Sequence, residues 1–401
     1  MKNLPKWGPL ALAALLLAAC GGGGDDPVIP GSGGPTGGPS SRGTFTAVVS
    51  FGDSLSDVGA YAPATSLTGN GAAPYFGGKF TTNSGPASAT GTVWVENLAT
   101  SMGLAVTPHE VGFAGTSVIC PAAAASAALA GTCTGYGQGG SRVTDPNGIG
   151  KSGGALTVPM KAQIANHLAR FGNFKSSDLV LVFGGNNDVF TQFGIFAATA
   201  GQVQAQAAAG QLTTTQANAA LSEAQTIAYV AIQKAALELA GYVKSDIVAK
   251  GGTYVAVMNL PDSAQSPFGS TIPSASAKAV LSGLVNEFNL WLRTGLDGAP
   301  VLWIDTNAFF KTVYANPATY GFVNNTVPAC DATKIAAVTA NAVTDGSSLF
   351  CNSTPGAPYN GLRTGADVNT WAFADGVHPT TGGHKVISDE ARRVLVARGW
   401  L

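Results

Sequence analysis

Apolar residues in this chain come in short unbroken runs, set between longer amphipathic stretches. TAVVSF (46–51), LVLVFG (179–184), TYVAVMNL (253–260) and VLWID (301–305) are too short for helices and do not alternate with polar residues. Continuous runs of this kind mark strands buried on both faces, the pattern of a parallel sheet. Between them, VWVENLATSM (93–102), MKAQIANHLARF (160–171) and KAVLSGLVNEFNLWL (278–292) repeat apolar positions at helical spacing. The alternation predicts an α/β fold, a parallel sheet sandwiched by helices. Residues 196–250 are rich in Ala and Gln and poor in charge, and they read as two helices, 202–211 and 218–243, separated at Gly210 and a Thr run. Their place in the chain suits either ordinary packing on the sheet or a wall over a site.

Chemistry gathers where the apolar runs stop. The first ends in Gly52-Asp53-Ser54, which lifts a hydroxyl out of the carboxyl end of a strand, where open α/β sheets bind ligands. Alone, Ser54 could equally cap a helix. Near the far end, FADGVHPT sets Asp375 three residues before His378 in a Gly/Pro-bounded loop. A nucleophile, a base and a carboxylate to orient that base are the parts of a serine hydrolase. The other histidines suit this less well: His109 follows Pro108 in a loop, His167 lies within a helical pattern, and His384 falls near the start of the last helix. YGQGGSRV supplies Gly139 and Gly140, and FGGNNDVF supplies Asn186, Asn187 and Asp188 after the second run.

Ser, Gly, Asn and His in this chain order resemble the four blocks of the GDSL family of SGNH hydrolases. The resemblance covers roughly residues 44–401, with softer matches at GTVWVENLATSMGL, VMNLPDSAQSP and NPATYGF. It implies a three-layer α/β/α, flavodoxin-like fold and a lipase, esterase or acylhydrolase that needs no cofactor. Ser54 would attack an acyl carbon, with His378 as base and Asp375 orienting it. The N–H of Ser54, the N–H of Gly140 and the Asn187 amide would receive the oxyanion. Asn187 is the Asn of the family's GxND within Gly185-Asn186-Asn187-Asp188, and Gly139 is the neighbouring register for the glycine. Asp53, Asp57 and Asp188 read as organisers of turns. The same parts would serve an acyltransferase, and a silent binding module could retain the fold.

Two other motifs compete for attention. Gly150-Lys151-Ser152-Gly153-Gly154 satisfies GxSxG, but no strand precedes it. Read as GKS of a phosphate loop, it lacks the glycine five positions before Gly150, where Asp145 stands. Phe113, Tyr136, Phe190 and Phe193 lie near the chemical blocks and suit either an acyl pocket or the core.

The start of the chain is a different kind of sequence. Lys2 and Lys6 precede an apolar run ending Leu17-Ala18-Ala19-Cys20, and a Gly/Pro/Ser tract follows to residue 43. Residues 1–19 read as a signal peptide, Cys20 as a lipidation site of bacterial lipoprotein type, and 20–43 as a flexible tether. Gly21, rather than an aspartate, favours the outer membrane among lipoproteins. The hydrolase domain would then be 44–401, ending too soon after His378 for a C-terminal barrel. Losing residues 1–19 moves the formal charge from −1 to −3, and with 11% of residues charged a nucleic-acid partner is not expected. No later segment has the eighteen consecutive apolar residues of a membrane helix. The partners expected are an ester substrate, small or lipid, and a membrane held through the anchor. Cys120, Cys133, Cys330 and Cys351 remain, an even set that export would oxidise. Of three pairings, short loops favour Cys120–Cys133 and Cys330–Cys351. No metal site is expected from their spacing.

Overall fold

The computed structural model describes residues 33–65, 78–84, 91–356 and 360–401. The signal segment and Cys20 lie outside the described residues.

Each apolar run becomes a strand of one parallel sheet: β1 (Ala47–Gly52), β4 (Asp178–Phe183), β5 (Tyr254–Met258) and β6 (Leu302–Ile304), in the order β1-β4-β5-β6. Ala47 pairs with Asp178 and Gly52 with Phe183, so β1 and β4 end level with one another. Their continuous apolar character has its reason in burial on both faces: β4 is buried along its whole length. Beyond β1 the sheet continues through single parallel bridges, Ser50 with Gly135 and Gly135 with Pro108. The chain thus leaves β1 for a neighbour on one side and reaches β4 on the other. A crevice opens at the carboxyl ends of strands where connections diverge this way. A short antiparallel hairpin, β2 (Glu110–Phe113) with β3 (Thr116–Ile119), was not legible as strands in the sequence.

Helices complete the three layers. α1 (Trp94–Ser101) packs with α7 (Thr381–Arg398), α2 (Met160–Phe171) lies along β1, and α6 (Thr306–Ala315) follows β6. α3 (Asn186–Ala208), α4 (Thr214–Tyr242) and α5 (Ala275–Gly295) pack on one another. Where the sequence suggested a helix from 202, α3 already begins at Asn186, because the GGNND turn is itself the helix start. Gly210, in the left-handed region at φ +70°, ends the turn between α3 and α4. Thr213 then caps α4 in a reciprocal box with Gln216.

The Gly/Pro/Ser tract is not free along its whole length, as its composition suggested. Thr36 and Gly37 N–H groups donate to Ala299 and Val301 carbonyls, and the Trp400 indole donates to Pro39 O at 2.8 Å. Trp400 is fully buried and meets Tyr254 edge-on. Paired backbone plus an aromatic anchor holds residues 34–43 along the edge of the sheet where its strands begin. Both cysteine pairs favoured by loop length are disulfides, Cys120–Cys133 and Cys330–Cys351. Among the described residues no helix is long and apolar enough to cross a membrane, and no cluster of His, Cys, Asp or Glu could hold a metal.

Candidate active site

β1 ends at Gly52 because nothing larger fits: a Cβ there would fall 2.1 Å from Phe183 O. Gln163 of α2 clamps this residue from the side, accepting its N–H at 2.9 Å and donating to its carbonyl at 2.8 Å. Asp53 follows in extended conformation and caps the single 3-10 turn Ser54–Ser56 through Leu55 N–H. Only that short turn follows the serine, so Ser54 is held by the strand end rather than by a long helix.

The far end of the chain reaches the same point. Ala374 N–H donates to His378 O at 2.8 Å and folds Asp375–His378 into a tight loop. Asp375 Oδ1 accepts the N–H groups of Val377 and His378, and Oδ2 accepts Ser348 N–H at 2.8 Å. The carboxylate meets His378 Nδ1 at 2.8 Å, and His378 Nε2 lies 2.8 Å from Ser54 Oγ. Burial opposes charge on both groups, but each favours the ionised form of the other. Asp375 is held below its ordinary value and His378 above.

Gly139 and Gly140 arrive from the segment paired beside β1. Asp57 accepts the N–H groups of Gly59 and Ala60 on one oxygen and of Gly139 on the other. The Gly139 N–H is therefore engaged, whereas the N–H of Gly140 and that of Ser54 have no partner among the described residues. Gly140 sits at φ +80°, with Ile149 O where a Cβ would be.

β4 contributes the third piece. Gly185, at φ +120° against the Phe288 ring, turns the chain into the N-terminus of α3. There Asn186 donates to Asp53 Oδ2 at 3.0 Å, and Asn187 donates one amide hydrogen to Ser141 O at 2.9 Å. Asp188 accepts from Arg142 Nε and Val143 N–H, fixing the loop that follows Gly140. Burial pushes Asp57 and Asp188 up to about 6. All three acids near the serine serve the backbone around it, as their sequence positions suggested.

The remaining candidates separate cleanly. Ser152 is exposed on a 3-10 turn of the Gly-rich loop, away from any histidine contact. His167 is buried against Phe174, its two ring nitrogens without a partner among the described residues, and burial drives it down to about 4. His109 stacks on Tyr136, itself stacked on Phe51, so Tyr136 belongs to the core. Phe193 is also buried, whereas Phe190 is partly exposed and meets Phe268 edge-on. Two contributors were missed in the sequence. Ser348 acts through its backbone N–H and gives no side-chain signal. Gln163 did carry one: a polar residue on the apolar face of a helix, between Met160 and Ile164.

Of known proteins, a curated relative is an uncharacterized protein in a trpE-trpG intergenic region of Pseudomonas putida, 28% identical over 149 residues. That match covers 37% of this chain, and the chain spans only 22% of that relative's length. The family model for GDSL-like Lipase/Acylhydrolase matches residues 48–391, from the first strand into the last helix and across every block that meets at Ser54. Because that match spans most of the chain, the protein belongs to the GDSL-like lipase/acylhydrolase family.

Proposed function

We propose that this protein is an exported carboxylic-ester hydrolase working through an acyl-enzyme on Ser54. The observation that carries the reading is the 2.8 Å contact of Ser54 Oγ with His378 Nε2, whose other nitrogen is held by Asp375. In this reading Ser54 Oγ attacks the acyl carbon while its proton passes to His378. The Asp375 carboxylate stabilises the imidazolium and fixes its orientation. Negative charge on the carbonyl oxygen is received by the free N–H groups of Ser54 and Gly140 and by the second amide hydrogen of Asn187. His378 returns the proton to the departing alkoxide. Water then attacks the acyl-enzyme, giving its proton to His378, and the acid leaves as Ser54 is restored.

Export and anchoring rest on the Leu17-Ala18-Ala19-Cys20 sequence, the Gly21 that follows it, and two disulfides. Residues 34–43 run along the end of the sheet where the strands begin, opposite the strand end that carries Ser54. Intact-mass analysis of the mature N-terminus tests this part: an unmodified cysteine, or cleavage elsewhere, removes the anchor.

The catalytic reading is tested with a chain-length series of p-nitrophenyl esters, run beside a phospholipid and an acetylated glycan. Ser54→Ala is expected to abolish turnover of every substrate the wild type accepts, with circular dichroism unchanged. Retained activity in Ser54→Ala, with Ser152→Ala inactive, would overturn the assignment.

A further inference from the structure

Hydrogen bonds to Asp375 and Ser54 leave the His378 imidazole from opposite sides of the ring. Bonds at the two ring nitrogens resist least the rotation of the ring about the line that joins those nitrogens. Something must bear on its face. That contact is Phe80, whose ring centroid lies 4.8 Å from the imidazole with the planes 37° apart.

Phe80 touches a second part of the site. A Cβ at Gly139 would fall 2.1 Å from the edge of its ring, so the aromatic side chain occupies the space a residue larger than glycine would need. Tyr61 meets Phe80 edge-on at 6.0 Å, and its hydroxyl donates to Gly139 O at 2.7 Å. One ring therefore bears on both the imidazole and the residue preceding Gly140.

The segment carrying Phe80 is secured on each side. Lys79 Nζ pairs with Glu96 at 2.6 Å and donates to Gly91 O. The Phe80 carbonyl accepts His384 Nε2–H at 3.2 Å, while His384 Nδ1 accepts Trp94 N–H. That pairing fixes the tautomer of a fully buried histidine, which burial keeps neutral. Thr82 Oγ1 accepts Thr381 N–H, and Asn83 donates to the Ser348 and Cys351 carbonyls, next to the N–H that holds Asp375. An aromatic ring on such a base is a fixed stop rather than a mobile cover.

We propose that Phe80 is a positioning residue for the reaction assigned above to Ser54, a wedge that sets the plane of His378 and its spacing from the Gly140 N–H. The inference rests on that assignment. Proton transfer from Oγ to Nε2 depends on direction as well as distance, and misplacement by about 1 Å costs on the order of 100-fold in rate.

The test compares Phe80→Ala, Phe80→Leu and Phe80→Tyr with wild type and Ser54→Ala on p-nitrophenyl acetate, a substrate too small to reach far from the serine. Loss of the ring is expected to lower kcat by about tenfold or more, with KM changed less than about threefold. Phe80→Tyr, which keeps the flat face, should restore kcat to within about twofold, and Phe80→Leu should not. Rescue by the ring but not by comparable apolar bulk separates positioning from core filling. The rate at which a p-nitrophenyl phosphonate labels Ser54 should fall in step with kcat. If Phe80→Ala does not fold, the Leu and Tyr variants decide alone. Wild-type kcat in Phe80→Leu, or a loss confined to KM, would overturn the proposal while leaving the serine assignment standing. Activity in Ser54→Ala would instead sink the assignment and this inference with it.

Discussion

The backbone N–H of Gly139 donates to Asp57 Oδ2 at 2.9 Å, and the N–H of the next residue, Gly140, has no partner among the described residues. A carboxylate reaching across 82 positions thus selects which of two adjacent glycines can offer a donor to an oxyanion. Gly140 also holds φ +80° and lies against Ile149 O, so a methyl group there would have to displace backbone. Gly140→Ala is expected to lower kcat by about 100-fold or more, the scale of one lost oxyanion donor. Steady-state kinetics beside a thermal melt check this: near-wild-type kcat in a folded variant would move the donor elsewhere.

Asn187 and Asn186 should separate under substitution, although they are neighbours. Asn187→Ala removes the amide assigned to the oxyanion and should lower kcat by about 100- to 1000-fold with a smaller change in KM. Asn186 donates instead to the fully buried Asp53. Asn186→Ala should leave that carboxylate short of a partner and cost about 1–3 kcal/mol of stability, read by urea denaturation. A larger kcat loss in Asn186→Ala would reverse the two roles.

The pH dependence follows from the coupling of His378 with Asp375. Burial lowers His378, but the Asp375 carboxylate, with Asp53 and Asp345 beyond it, raises it above the ordinary histidine value of 6.5. Nε2 must be unprotonated to accept the Ser54 proton, so kcat/KM should be lost as pH falls through a midpoint above 6.5. Asp375→Asn should move that midpoint down and cut the rate by about 1000-fold or more. Linkage gives the stability signs. Asp375, held below its ordinary value, stabilises at pH above that value and loses this as pH falls. His378, raised, stabilises most below its ordinary value and loses this as pH rises through the folded one. The stability gap between wild type and Asp375→Asn should therefore be widest between about pH 4 and 6.5. A gap that does not vary with pH would rule out the coupling.

The two disulfides should differ in what their loss does. Each should contribute roughly 3 kcal/mol in the chain-entropy account, and either pair of Cys→Ala changes should lower Tm. Cys120–Cys133 spans an exposed Ala-rich segment, Pro121–Ala125 and onward, that supplies none of the groups meeting at Ser54. Cys330–Cys351 instead braces the histidine loop. Cys330 N–H donates to Ala374 O, and Cys351 lies three residues past the Ser348 N–H that holds Asp375. Breaking that bond should lower kcat as well as Tm, whereas breaking Cys120–Cys133 should leave kcat within about twofold. Equal kinetic effects would show that neither bond bears on the Asp375 loop.

Some of this was legible in the chain because its cause is local. A strand buried on two faces must be apolar throughout, so β1, β4, β5 and β6 showed as unbroken runs, and the residues at their carboxyl ends could be read for chemistry. Asp375 and His378 lie three positions apart, and Cys120 and Cys133 close a short loop, so sequence spacing alone carried those pairings. What depended on distant contacts did not show. Composition described residues 34–43 as loose, yet Trp400, Arg398 and the chain just before β6, at Ala299 and Val301, pair their backbone. Nothing in YGQGGSRV distinguishes Gly139 from Gly140 until Asp57 takes one of the two N–H groups. Nothing near Phe80 marks it, because its meaning lies in His378, 298 positions on, and in the lack of a side chain at Gly139. Periodicity and residue type determined which elements form and which side chains can react. Which N–H remains free and which face of a ring is covered were decided only when the strand ends met, because a hydrogen bond or a ring contact is fixed by separations of a few ångströms in space, whatever the separation along the chain.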